Sequence, residues 1–116
     1  MLKNDLVRLR HILDAAREAV NYSKNRTRRD LDENRLLNLS LVRLLEIIGE
    51  AAKGISPSLR TDHPEIAWDK MAGMRDRLIR GYFDVSLDVV WKTVIEDLPP
   101  LISQLEDLLA SENASG

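Results

Sequence analysis

Cysteine is absent from the 116-residue sequence, which removes disulfides, thiolate metal sites and thiol nucleophiles and is compatible with a reducing compartment. Aromatic residues are scarce: two Trp, two Tyr and one Phe. A core must therefore be assembled from Leu, Ile, Val and Ala, which pack readily between helices but bury a modest apolar area in a chain this small. Burying further surface in a dimer would help such a core. No stretch approaches the ~20 apolar residues of a membrane span, and Lys3, Asp5, Arg8 and Arg10 interrupt any apolar run that could serve as a signal peptide. A cytoplasmic location with no membrane partner is the expectation. Also missing are period-two alternation over a useful length, internal repeats, a glycine-rich phosphate loop, a nucleophile elbow and zinc-ligand spacing, so neither cofactor nor metal is expected.

What the chain does contain is 44% apolar and 31% charged residues, the balance of one compact domain, here 1–110, followed by a small polar tail, 111–116, expected to be flexible. A net charge of −2 hides an asymmetry: residues 1–81 hold 16 Lys+Arg against 12 Asp+Glu, and residues 82–116 hold 1 against 7. Basic residues bunch at Lys24, Arg26, Arg28, Arg29 and again at Arg75, Arg77, Arg80. An RNA backbone could be held at those two clusters.

Leu2, Leu6, Leu9, Leu13, Ala16 and Val20 alternate steps of four and three, the spacing of one face of an amphipathic helix. The polar string Asn21 to Asp30 reads as a loop, and a second long helix is expected from about Leu31 to Gly54 through Leu37, Leu41, Leu44, Ile48 and Ala51. Gly54 suits a left-handed residue past the helix end, and Ser56-Pro57 suits the start of a short helical turn. After a break at His63-Pro64, Ile66, Trp68, Met71, Met74, Leu78 and Tyr82 predict a third helix ending near Gly81. Ser86 can cap a fourth, with Asp88 near its positive end, and Pro99-Pro100 are expected to restart the chain into a fifth. The fold class is all-α, an antiparallel bundle of four to five helices.

Chemistry concentrates in Met74 to Val85, where three arginines, two aspartates and a tyrosine surround a glycine. Arg75 and Tyr82 lie seven residues apart, two turns of a regular helix, and would project from nearly one face. Asp76 and Arg80 have the spacing and order of a solvated surface ion pair.

The arginine, four residues, Arg80, one residue and Tyr82 stand where HepT proteins, ribonuclease toxins of the HEPN superfamily, have arginine, four residues, histidine, one residue and tyrosine. The surroundings also resemble HepT: Leu45-Glu46-Ile47-Ile48-Gly49-Glu50-Ala51, Ala67-Trp68, Val90-Trp91 and Leu98-Pro99. The resemblance implies a homodimer whose motifs face each other across a cleft, RNA as substrate, and metal-independent cleavage. It also implies silencing by a minimal (MNT-type) nucleotidyltransferase antitoxin that transfers AMP to the motif tyrosine, Tyr82 here. In that scheme Arg75 binds the scissile phosphate, with a permanently charged fork that matches phosphate geometry. Asp76, where the family often has asparagine, either orients Arg75 or simply solvates its helix.

Arg80 departs from the family at the position of the catalytic histidine. A guanidinium has no free base form near neutral pH, whereas an imidazole exchanges protons readily. Weakened or absent cleavage with RNA binding retained is the expectation. Arg80 is then either an inactivating substitution or a natural variant that has kept binding alone. The alternative class is a non-catalytic helical dimer that binds a nucleotide, RNA or a protein; a purely structural dimer is the third. Glu46 and Glu50 share a helix face without a Glu-x-x-His partner, so a structural role is expected of them. His11 and His63 have no ligand spacing, and Trp68 and Trp91 are expected to anchor the core.

Overall fold

The computed structural model describes residues 1–78 and 85–115. The architecture is all-α. Helix α1 spans Lys3–Ser23, α2 Arg28–Glu33, α3 Arg35–Lys53, α4 Pro57–Asp62, α5 Trp68–Ala72, α6 Met74–Leu78, α7 Leu87–Lys92 and α8 Leu98–Ser115, the last reaching into the stretch read as a tail. Among the described residues no helix is long and apolar enough to cross a membrane.

Helices α1, α3 and α8 form the frame. The start of α1 meets the end of α3, where Asp5 accepts hydrogen bonds from the Ser56 amide at 2.9 Å and the Ser56 hydroxyl at 2.5 Å. Helix α8 also runs antiparallel to α1: Arg17 pairs with Glu106 at 2.7 Å, and the Met1 ammonium lies 3.9 Å from Glu112. Between them Leu9, Ile12, Leu41, Leu45, Ile48, Val90, Val94, Leu98 and Leu105 are fully buried. This aliphatic interior matches the composition, and the buried stripe of α1 is wider than the expected one. Leu9, Leu13 and Ala16 are buried as read, Ile12, Ala15 and Ala19 are buried beside them, and Leu2, ahead of the helix, is 61% exposed.

Four local expectations are modified, each for a physical reason. The loop after α1 is short, for Thr27 and Asp30 form a reciprocal cap, with the Thr27 amide 2.6 Å from the Asp30 carboxylate, and start α2 inside the basic string. Asn34 then interrupts what was read as one helix: its side chain accepts from the Leu37 amide at 3.0 Å, so α3 begins with its own cap. Gly54 is not left-handed (φ −87°, ψ −3°). The Arg8 side chain lies across it, and its flexible end can swing aside for an added Cβ. Finally, Pro99 and Pro100 do not restart the chain.

From Leu87 the helix continues through both prolines because residues Thr93–Asp97 adopt a wider turn, in which the Leu98 amide bonds to the Thr93 carbonyl five residues back. Prolines 99 and 100 would clash with the carbonyls four residues earlier in a regular helix, and the wider register relieves that crowding. The Thr93 hydroxyl donates to the Val89 carbonyl at 2.7 Å at the same place. Ser86 caps α7 as expected, accepting from the Val89 amide, and Ser56 with Pro57 opens α4.

Candidate functional site

The segment expected as a third helix is two short ones. Helix α5 ends at Gly73, whose amide bonds to the Asp69 carbonyl at 2.9 Å, and α6 restarts at Met74. Trp68 anchors α5: it is buried, and its indole N–H donates to the His63 carbonyl at 2.9 Å. Trp91 is partly buried against the same core. Ion pairs between Arg60 and Asp69 and between Lys70 and Asp97, each 3.2 Å, tie α5 to α4 on one side and to the wide turn on the other.

The bend at Gly73 lies against α3 at Gly49. A Cβ built on Gly49 would stand 3.2 Å from the Met71 carbonyl oxygen, 3.4 Å from the Met74 Cβ and 3.9 Å from the Arg75 amide nitrogen. This close approach presses Met74 and Leu78 into the core and turns Arg75, Asp76 and Arg77 outward into solvent. Among the described residues those three make no ion pair or side-chain hydrogen bond. Toward the described residues Arg75 therefore presents an uncommitted donor fork.

Beyond Leu78 the chain is pinned at its return: the Ser86 amide donates to the Leu78 carbonyl at 2.7 Å, and both residues are buried. Arg80 and Tyr82, the expected positions of the family histidine and of modification, lie outside the described residues. So does the Asp76–Arg80 pair read from their spacing.

The structure separates the other basic cluster into committed and uncommitted groups. Arg28 bonds Asp88 at 2.8 Å and Asp32 at 3.2 Å, while Arg29 bonds Glu33 at 2.8 Å. The Asp88 hydrogen bond, more than any other influence, holds the Arg28 guanidinium pKa above its ordinary value. It also brings the start of α2 beside α7, two residues past the Ser86 pin. Lys24 and Arg26 make no ion pair among the described residues.

The remaining candidates have structural partners. Glu46 lies 3.8 Å from Arg43 and Glu50 3.9 Å from Lys53. His63 Nδ1 is 3.4 Å from Glu65, and exposed His11 lies in an open groove with Arg8 and Arg43. Sequence reasoning quoted Gly49 within the family-like stretch but not as the residue that seats the motif helix; its signal is a glycine inside a helix, between Ile48 and Glu50, where propensity disfavours it.

The family described as Ribonuclease HepT-like matches residues 12–108. A protein whose name describes it as a candidate RNase, from Caldanaerobacter subterraneus subsp. tengcongensis, is 36% identical over 104 residues, 90% of this chain and 93% of its own. A probable ribonuclease HepT of Thermococcus cleftensis is 52% identical over 69 residues, covering 60% of this chain and 63% of that one. A third relative, a candidate RNase of Methanocaldococcus jannaschii, is 35% identical over 98 residues, 84% and 81% of the two chains. No solved structure gives a significant match. With the match running from the middle of α1 to the middle of α8 and spanning both Gly49 and Arg75, the chain belongs to the HepT-like ribonuclease family.

Proposed function

We propose that this protein is the toxin of a toxin–antitoxin pair, a metal-independent RNA endonuclease whose cleavage is weakened or lost through Arg80. The observation that carries the reading is Arg75: an exposed guanidinium, uncommitted among the described residues, on a short helix seated by Gly49 at the entrance to the motif.

In the cleavage step a base removes the ribose 2′ proton and the 2′ oxygen attacks phosphorus. The P–O5′ bond breaks, and the leaving oxygen takes up a proton. Arg75 stabilises the added charge on the phosphorane through paired N–H donors. Asp76, one residue on and exposed, makes no bond to that fork and solvates α6. Arg80 cannot serve as the base, being protonated at every physiological pH.

Two chains form the cleft. A small aliphatic core gains from further burial, and Leu39 on the outer side of α3 is 51% exposed beside Arg43. In the cytoplasm the toxin is neutralised by a nucleotidyltransferase antitoxin that moves AMP from ATP to the Tyr82 hydroxyl, with pyrophosphate leaving. The added phosphate repels an RNA backbone from the same surface.

Restoring the family residue tests this. Arg80→His should raise RNA cleavage about 100- to 10,000-fold and arrest growth of a host lacking the antitoxin. If cleavage and arrest both stay absent, the ribonuclease reading of this chain fails. Tyr82→Phe should abolish AMP incorporation, and mass spectrometry locating AMP on another residue would overturn the modification site. Salt-sensitive RNA binding without cleavage in Arg80→His would favour the binding-module alternative.

A further inference from the structure

A second place on the surface combines the groups that single-stranded RNA uses. An open pocket of about 340 Å³ lies between the end of α1 and the start of α3, lined by Tyr22, Arg26, Asn34, Leu36, Leu37 and Ser40. That is within the size range of small-ligand sites, roughly 300–1,000 Å³. The distance from Leu36 to Gly49 along α3 is about 20 Å by helix rise, so this pocket is not the Arg75 surface.

Three features of the pocket point to one ligand class. Tyr22 is the large exposed aromatic among the described residues, at 42% exposure, in a chain whose Trp68 is buried. Its hydroxyl donates to Glu18, one turn back on α1, at 2.6 Å, which tethers the phenol to that helix. Leu36, 76% exposed, forms an apolar wall of the same pocket.

Arg26 supplies charge. The chain turns sharply before it, with Asn25 in the left-handed region at φ 61°, a conformation asparagine tolerates better than most residues. While Arg28 and Arg29 are held by carboxylates, Arg26, Lys24 and the exposed Arg35 make no ion pair among the described residues. Of these three, Arg26 lines the pocket, while the nearby Asp30 and Glu33 are engaged by the Thr27 amide and by Arg29. Asn34, whose side-chain oxygen is used in capping, and Ser40 add polar edges.

We infer that this pocket is a subsite for a nucleotide of single-stranded RNA, its base on the Tyr22 ring and its phosphate on Arg26. Aromatic platforms beside uncommitted cations bind unpaired strands in this way, because every base has a flat face and duplex bases are not free to stack. The inference rests on RNA being the substrate and adds a second contact distant from the cleavage motif.

The test uses the full-length protein and fluorescein-labelled RNA decamers, single-stranded homopolymers against a duplex of equal length, at low and rising salt. Tyr22→Ala should weaken single-strand binding at least about fivefold and leave duplex binding unchanged. Tyr22→Phe, which keeps the ring, should bind like the parent, and Arg26→Ala should lower the salt slope by about 0.7. Far-UV circular dichroism confirms that each variant is folded.

If Tyr22→Ala and Arg26→Ala bind as the parent does while Arg75→Ala does not, the subsite is overturned and the ribonuclease reading stands. The same holds if the parent fails to bind the decamers but Arg80→His cleaves RNA. A Tyr22→Ala variant that changes oligomeric size with RNA affinity unaltered makes this face an interface between copies, which also overturns the subsite. Absence of both binding and cleavage removes the subsite and the ribonuclease reading together.

Discussion

Gly49 offers the sharpest test of how the fold presents Arg75. Two effects oppose each other when a side chain is added there. Any residue but proline improves a helix interior relative to glycine, by about 1 kcal/mol for alanine and a few tenths for valine. Against that, the new Cβ meets the Met71 carbonyl oxygen at 3.2 Å and the Met74 Cβ at 3.4 Å, so α5 and α6 must retreat by a few tenths of an ångström. For Gly49→Ala the two nearly cancel, and stability should stay within about 1 kcal/mol of the parent. Valine adds two methyl groups to a full contact, where overpacking costs about 1–3 kcal/mol, and its small propensity gain leaves a net loss of roughly 1–2.5 kcal/mol. Urea denaturation followed by tryptophan fluorescence reads this directly, because Trp68 is buried in the displaced α5. Function should fall further than stability: the Met71 carbonyl and Met74 Cβ that must retreat flank the bend into α6, so even Gly49→Ala shifts the helix that carries Arg75 and should weaken RNA binding. A Gly49→Val protein as stable as the parent, with RNA affinity intact, would refute the view that glycine is present to admit the α5–α6 bend.

Other consequences are more local. Asp5 is 2% exposed and receives two hydrogen bonds from Ser56; Asp5→Ala should destabilise by about 3–6 kcal/mol in urea titrations, since each of the two bonds to a charged group contributes ~1.5–3 kcal/mol. Ser86→Ala removes the cap of α7 at the return of the motif and should cost about 0.5–2 kcal/mol; an unchanged midpoint would show that the Leu78–Ser86 backbone bond suffices. The Glu18 hydrogen bond raises the Tyr22 pKa above its ordinary value. In a Tyr82→Phe background, Glu18→Gln should therefore move the alkaline absorbance titration to lower pH. The sign for stability follows: a raised phenol pKa favours the neutral form in the folded state, so this contribution is complete below the ordinary value near 10 and disappears as pH rises past the folded one. An unshifted titration after Glu18→Gln would contradict that assignment.

The helix caps that flank the candidate site were legible because they depend on neighbours in the chain. Ser56-Pro57 and Ser86 were read as caps and act as caps, since capping is completed within three residues; Arg75, read as a phosphate ligand, is exposed. Two expected site residues, Arg80 and Tyr82, lie outside the described residues. The fate of the Lys24–Arg29 cluster was not legible, because Arg28 is claimed by Asp88, a partner 60 positions away.

The sequence by itself determined the all-helical class, the aliphatic core and the family, because helical periodicity, the scarcity of aromatics and a distributed motif are properties of residue order alone. Only the tertiary structure decided where helices break or run on. Asn34 and Gly73 interrupt segments whose apolar rhythm continues through them, and Pro99 and Pro100 fail to interrupt one because the turn before them widens. At Gly49 the close contact is with the Met71 carbonyl, brought there by the packing of another helix. Periodicity records which face a residue takes, whereas steric demand at a crossing depends on what arrives from elsewhere in the chain.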